Sequence, residues 1–138
     1  GPLVMWSFPV RQAQEYSTTL LPSTMAAKQI AEVRARVLLY LRKKLITDYG
    51  IAVFSKSYCP YCTRAKQVIS TLAIDQSKVG VMELDQTSEG GEVQAYLAQK
   101  TGQRTVPNIF VKGQHLGGGD DLMRASQSGE LNKLVASL

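Results

Sequence analysis

Both cysteines of the chain fall within one tetrapeptide, Cys59-Pro60-Tyr61-Cys62. Two thiols at this spacing can close into a disulfide and open again. Three residues along a helix bring the Cα atoms within the roughly 4.4–6.8 Å that the bond needs. The thiolate is the reactive form, and its surroundings set how much of it exists. At the first turn of a helix a sulfur meets unpaired backbone N–H groups and about half a positive charge. Cysteines so placed have pKa values of roughly 3.5–7.5, against about 8.5 for a free thiol. Pro60 suits the first helical position, where its missing N–H is no loss. Cys59 then caps the helix, and Cys62 lies one turn deeper on the same face. Lys56 and Arg64 flank the pair and add positive potential. Cys59 is therefore expected to attack and Cys62 to resolve.

Two other uses of the pair compete with this one. A structural zinc site takes four ligands; His115 is the chain's one histidine, so a carboxylate would have to be borrowed. A permanent disulfide across so short a loop would constrain little. A C-x-x-C beside a strand–helix pattern points to redox chemistry.

The flanking sequence supplies that pattern. Residues 51–55 form a short apolar run that reads as a buried strand, and Ala65, Val68, Ile69 and Leu72 recur at helical spacing over 60–74. Residues 79–85 predict a second strand, parallel to the first because a helix joins them. A helix over 92–100 ends at Gly102, and a third strand runs over 106–111. A turn at Lys112-Gly113-Gln114 makes a hairpin with a strand beginning at His115. Two helices, over 121–126 and 129–138, close the chain, the first with an acidic start at Asp120 and Asp121. Upstream, Ile30, Val33, Val37, Leu41 and Leu45 give residues 26–48 the stripe of one amphipathic helix. The expected class is α/β: a four-stranded mixed sheet with helices on both faces. His115 lies beyond the motifs and reads as structural.

The 138 residues suit one domain. Gly1-Pro2 reads as the scar of a cleaved purification tag. Residues 1–24 show no period and are expected to be a flexible arm or a remnant of cloning; 25–138 form the domain. No apolar run is long enough to span a membrane. The net charge of +5 is concentrated in residues 25–48, with six basic against two acidic side chains. The remainder is nearly neutral, so nucleic-acid binding is not expected. The basic helix is foremost a packing helix with a solvated face; contact with anionic membranes is its sharper reading. Two cycling thiols suit the cytosol, or a mitochondrion or other organelle if residues 3–24 are a native presequence.

Three motifs in this order, Cys59-Pro60-Tyr61-Cys62, Thr105-Val106-Pro107 and Gly117-Gly118-Gly119-Asp120-Asp121, resemble those of dithiol glutaredoxins. The similarity runs from about residue 28 to 138. Thioredoxins usually carry Gly-Pro between the cysteines and Trp before them; here Tyr58 precedes Cys59. The resemblance implies a thioredoxin-like fold, glutathione as co-substrate, no metal, and a monomer acting on glutathionylated or disulfide-containing proteins. It implies a cis peptide bond at Val106–Pro107, with Val106 pairing the cysteine backbone of glutathione. It places Lys56, Gln94 and Arg104 on the glycine carboxylate. The γ-glutamyl carboxylate falls to the backbone of Gly119, Asp120 and Asp121, and the ammonium to one of the two aspartates. Tyr61 and Thr105 complete the pocket. Gly119 departs from relatives, which often carry Asn, Cys or Ser there, and leaves the pocket looser. The implied activity is glutathione-dependent thiol–disulfide exchange, with Cys59 alone acting on mixed disulfides and both cysteines on protein disulfides. Two alternatives belong to other classes: a [2Fe–2S] cluster bridging two copies with glutathione, and an adaptor binding partners through residues 3–48.

Overall fold

The computed structural model describes residues 4–5 and 24–138. In chain order the elements are β1 (Val4–Met5), α1 (Thr24–Asp48), β2 (Ile51–Ser55), α2 (Pro60–Ser70), β3 (Val79–Glu83), α3 (Gly90–Thr101), β4 (Asn108–Val111), β5 (Gln114–Gly117), α4 (Gly119–Ser128) and α5 (Glu130–Val135). Strand β2 lies parallel to β3, with Ile51 opposite Val79 and Ser55 opposite Glu83. On its other side β2 runs antiparallel to β4, and β4 forms the hairpin with β5. This is the expected four-stranded mixed sheet. Val4–Met5 adds a two-residue parallel edge strand beside Gly80 and Val81. The rest of the region read as a flexible arm lies outside the described residues. Among the described residues no helix is long and apolar enough to cross a membrane.

Alternate residues of a strand point to opposite faces, and here both faces are covered. Ala52, Phe54, Met82 and Phe110 meet Leu45 and Ile46 of α1 and Val93 and Leu97 of α3. Ile51, Val53, Val79, Val81, Ile109 and Val111 meet Ala65 and Ile69 of α2, Leu122 and Ala125 of α4, and Leu131 and Val135 of α5. The dithiol helix thus rests on one face, and α1 and α3 on the other. Phe54 and Phe110 touch edge to face across β2 and β4, with centroids 6.0 Å apart.

Several boundaries differ from the sequence pattern for identifiable reasons. Helix α2 ends at Ser70, short of residue 74, closing on i to i+3 bonds from the N–H groups of Thr71 and Leu72. The Gln76 amide donates to Ile69 and Leu72 at 3.1 and 3.4 Å, while Asp75 caps a new turn at Ser77. Strand β3 stops at Glu83, where a 3-10 turn, Leu84–Gln86, begins. Strand β4 starts at Asn108, and the preceding Val106–Pro107 bond is cis, as the resemblance implied. At the end of α1 Leu45 and Ile46 are buried, while Val33 is 48% exposed.

Candidate active site

Cys59 is the cap of α2. Its sulfur accepts from the Cys62 N–H at 3.4 Å, and its own N–H donates to the Lys56 carbonyl at 3.1 Å. The loop leading to it is tied to the end of β3. The Asp85 carboxylate accepts from the Ser57 N–H at 2.9 Å and from the Ser57 hydroxyl. Both sulfurs are free thiols, and their environments differ. Partial burial works to raise the Cys59 pKa, but the Cys62 side chain and backbone, the Tyr61 backbone and the field of Lys66 outweigh it. The net result lies below the ordinary 9.0. Cys62 is 0% exposed, and burial pushes its thiol up to about 11.

The cation whose field lowers Cys59 is Lys66, nearly two turns into the helix. Lys56 lies where it acts on Asp85 instead. The Arg64 guanidinium sits 5.7 Å from the centre of the Tyr61 ring, a cation–π contact at the surface. Lys66 in turn is held by Glu83 at 2.6 Å, and Glu83 also accepts from the Ser55 hydroxyl at 2.9 Å.

Beside the dithiol opens a cleft of about 480 Å³, lined by Tyr61, Gln103, the Thr105-Val106-Pro107 loop and residues 118–121. Most of the residues singled out in the sequence thus meet on one surface. Cys59 is not part of that wall but caps the helix on which Tyr61 stands. Lys56, Gln94 and Arg104 also lie outside the wall; Gln94 and Arg104 are joined, the Gln94 amide donating to the Arg104 carbonyl at 2.9 Å.

The two aspartates separate into different roles. Asp121 reaches back to accept from the Gly118 N–H at 2.8 Å and pairs with Arg124 at 2.6 Å. The Gly118 bond, ahead of Arg124, holds its carboxyl below the usual range despite some burial. It is the internal brace of α4. Gly117 makes room for it: φ there is +128°, and a Cβ would stand 2.2 Å from the Asp121 carboxylate. Asp120, in contrast, is exposed at the cleft. At Gly119 a Cβ would meet Pro107 and Tyr61 at ordinary contact distances of 3.8 and 3.9 Å, so a small side chain would pack there without displacing them.

Gln103 went unnoticed in the sequence. Its amide donates to the carbonyls of Thr105 and Pro107 at 3.0 and 2.9 Å, holding the cis-proline loop from behind. Its oxygen lies 3.2 Å from His115 Nε2, which is 2.9 Å from the Asn108 side-chain oxygen. With both partners oxygens, Nε2 carries the hydrogen. His115 is thus a structural brace, as expected. Ser55 and Glu83 were also missed. The available signal was a polar residue in each strand pattern, Ser55 at the end of 51–55 and Glu83 among the apolar residues of 79–85.

The residue pattern of the glutaredoxin family matches over residues 51–116. Glutaredoxin-1 of Rhizophagus irregularis is 50% identical over 96 residues, which cover 70% of this chain and 92% of the relative. The chain belongs to the glutaredoxin family. It is therefore a thiol–disulfide oxidoreductase of the glutathione-dependent class. Among solved structures, the holo form of glutaredoxin C1 from Populus tremula x tremuloides superposes with a TM-score of 0.66 at 38% identity, over 72% of this chain and 95% of that one. A buckwheat glutaredoxin–glutathione complex superposes with a TM-score of 0.68 at 39% identity, over 74% and 90%.

Proposed function

We propose that the protein reduces glutathione mixed disulfides through Cys59 alone and protein disulfides through Cys59 with Cys62. The observation carrying this reading is the asymmetry of the pair: a sulfur favoured as thiolate at the helix cap, and a buried one held as thiol. The Cys59 thiolate attacks the glutathione sulfur of a mixed disulfide. A Cys59–glutathione bond forms, and the protein thiolate leaves and takes up a proton. A second glutathione thiolate then attacks the glutathione sulfur bound to Cys59, releasing oxidised glutathione and restoring the Cys59 thiolate. On a protein disulfide, Cys62 instead displaces the substrate from Cys59 and leaves a Cys59–Cys62 disulfide.

The cleft is the proposed glutathione seat, a reading supported by the buckwheat relative's glutathione complex. Val106 would pair with the cysteine backbone of the tripeptide. The N–H groups of Gly119, Asp120 and Asp121 open α4 and suit the γ-glutamyl carboxylate. Asp120 is free for the ammonium, since Asp121 is spent on its own helix. Lys56, Gln94 and Arg104 are assigned to the glycine carboxylate, and Tyr61, Thr105 and Pro107 to the walls. A glutathione-coupled assay on a small mixed disulfide tests the scheme. Cys62→Ser keeps the activity and Cys59→Ser abolishes it; loss in both variants contradicts the one-cysteine route. The same reading takes the protein as a cytosolic monomer, checked by imaging of the tagged chain and by light scattering.

A further inference from the structure

Gln103 stands in the wall of the cleft, yet its amide is taken up within the protein. Its N–H groups go to the carbonyls of Thr105 and Pro107 at 3.0 and 2.9 Å. A primary amide has only two hydrogens to give, so none is left for a ligand. The network also fixes which end of the amide faces the loop. Its oxygen would repel the two carbonyls; it lies instead 3.2 Å from His115 Nε2, which donates to it. That nitrogen is anchored 2.9 Å from the Asn108 side-chain oxygen, and the imidazole packs on Phe110 with ring centroids 5.2 Å apart. A Cβ on Gly118 would stand 3.6 Å from the Gln103 amide nitrogen and 3.6 Å from the Pro107 carbonyl oxygen. The amide thus lies where the cis-proline wall meets the start of α4.

Of the successive carbonyls of Thr105, Val106 and Pro107, Gln103 takes the outer pair. The Val106 carbonyl and N–H enter no backbone hydrogen bond among the described residues. Pro107 has no N–H to offer. Val106 is then the residue of this loop with both main-chain groups open, and an extended peptide pairs through such groups. We propose that Gln103, its amide oriented by His115, is a positioning residue that sets the register of the bound tripeptide. By occupying the carbonyls on either side, it confines pairing of the glutathione cysteine to Val106. The selection acts on a ligand that brings a peptide backbone, not on a disulfide as such. It rests on the reading of the cleft as the glutathione seat.

The test compares two disulfides in single turnover on the Cys62→Ser protein: oxidised glutathione, and hydroxyethyl disulfide, which has no peptide backbone. With either, the Cys59 thiolate attacks one sulfur. A bond from Cys59 to that sulfur forms, the original disulfide breaks, and the other half leaves as a thiolate that takes up a proton. The readout is the ratio of the two rates on one preparation, glutathione over hydroxyethyl. A loosened fold or a less reactive sulfur slows both and leaves the ratio where it was. Gln103→Leu is expected to lower the ratio roughly three- to tenfold, the effect of one lost hydrogen bond. Gln103→Glu keeps the shape but turns a carboxylate on two carbonyls, and is expected to lower it at least as much. His115→Phe keeps a ring against Phe110 and removes the donor to Gln103. It is expected to lower the ratio when Gln103 is present and not to lower it further in Gln103→Leu.

A ratio unmoved by either Gln103 variant overturns the proposal. So does a His115→Phe variant that leaves it unmoved, or that moves it equally without Gln103. The Cys62→Ser protein itself supplies the control for the underlying reading. If it shows no preference for glutathione disulfide, the seat is wrong and the register with it; a preference that survives Gln103→Leu sinks the register alone.

Discussion

Cys59 and Cys62 are one helical turn apart, yet a helix cap lowers the first and burial pushes the second to about 11. Alkylation of the reduced protein is expected to label Cys59 at neutral pH and Cys62 only as the pH approaches 11; equal, alkaline-only labelling of both would refute the assignment. Stability follows with opposite signs. A thiol raised by folding favours the folded state below its unfolded value, and that contribution is lost as pH rises. For Cys62 the loss runs from 9.0 to about 11. Cys59 behaves the other way: its contribution is present above 9.0 and lost as pH falls through its lowered value. Denaturant unfolding of Cys62→Ala beside the parent, on either side of pH 9.0, should show the parent alone losing stability on the alkaline side. The two aspartates make a second pair with unequal duties. Asp120→Asn is expected to raise KM for glutathione with the melting temperature unmoved. Asp121→Asn should cost about 1 kcal/mol of stability, since it weakens the brace on Gly118. If the two variants exchanged these effects, the proposed division would be wrong.

The elements place these residues through backbone fit as much as through side chains. Helix α3 begins at Gly90 against the carbonyl of Leu84, where a Cβ would lie 1.8 Å from the oxygen. Gly91 beside it has nothing within 4 Å. Gly90→Ala is expected to cost roughly 1–3 kcal/mol or more, because backbone must move. Gly91→Ala is expected to gain a few tenths to about 1 kcal/mol from helix propensity. Thermal melts of the two variants distinguish fit from propensity. Most elements could be read from the chain because their signals are local: the apolar run of β2, the helical spacing of Ala65 and Ile69, the hairpin at Lys112-Gly113. What could not be read depends on residues far apart in sequence. Ser55, Lys66 and Glu83 come from three elements, and no spacing links them. Gln103 acts by folding back on its own loop. Val4–Met5 has no periodicity, and its pairing with β3 is visible only once the edge of the sheet exists. In α1 amphipathic spacing marks a face that can be buried, and among its described residues Leu45 and Ile46 join the core while Val33 is exposed.

At the scale of the whole molecule, the sheet divides the core into two layers, and the dithiol belongs to one of them. Helix α2 rests through Ala65 and Ile69 on the layer shared with α4 and α5. Helix α3 closes the other layer with Val93 and Leu97. The groups that tune Cys59 are its own helix turn and Lys66, none of which touches that second layer. Global stability and thiol reactivity should therefore be separable. Leu97 is 2% exposed, and Leu97→Ala is expected to cost about 2–5 kcal/mol through lost burial and the cavity left behind. The same variant should leave the pH midpoint for alkylation of Cys59 where it was, because the cap, the Cys62 N–H and the Lys66 ammonium are untouched. Denaturant melts and labelling on the same preparation give both quantities. A Cys59 midpoint that moved with the lost stability would show that the far layer sets the position of α2, and the local account of the reactive sulfur would fail.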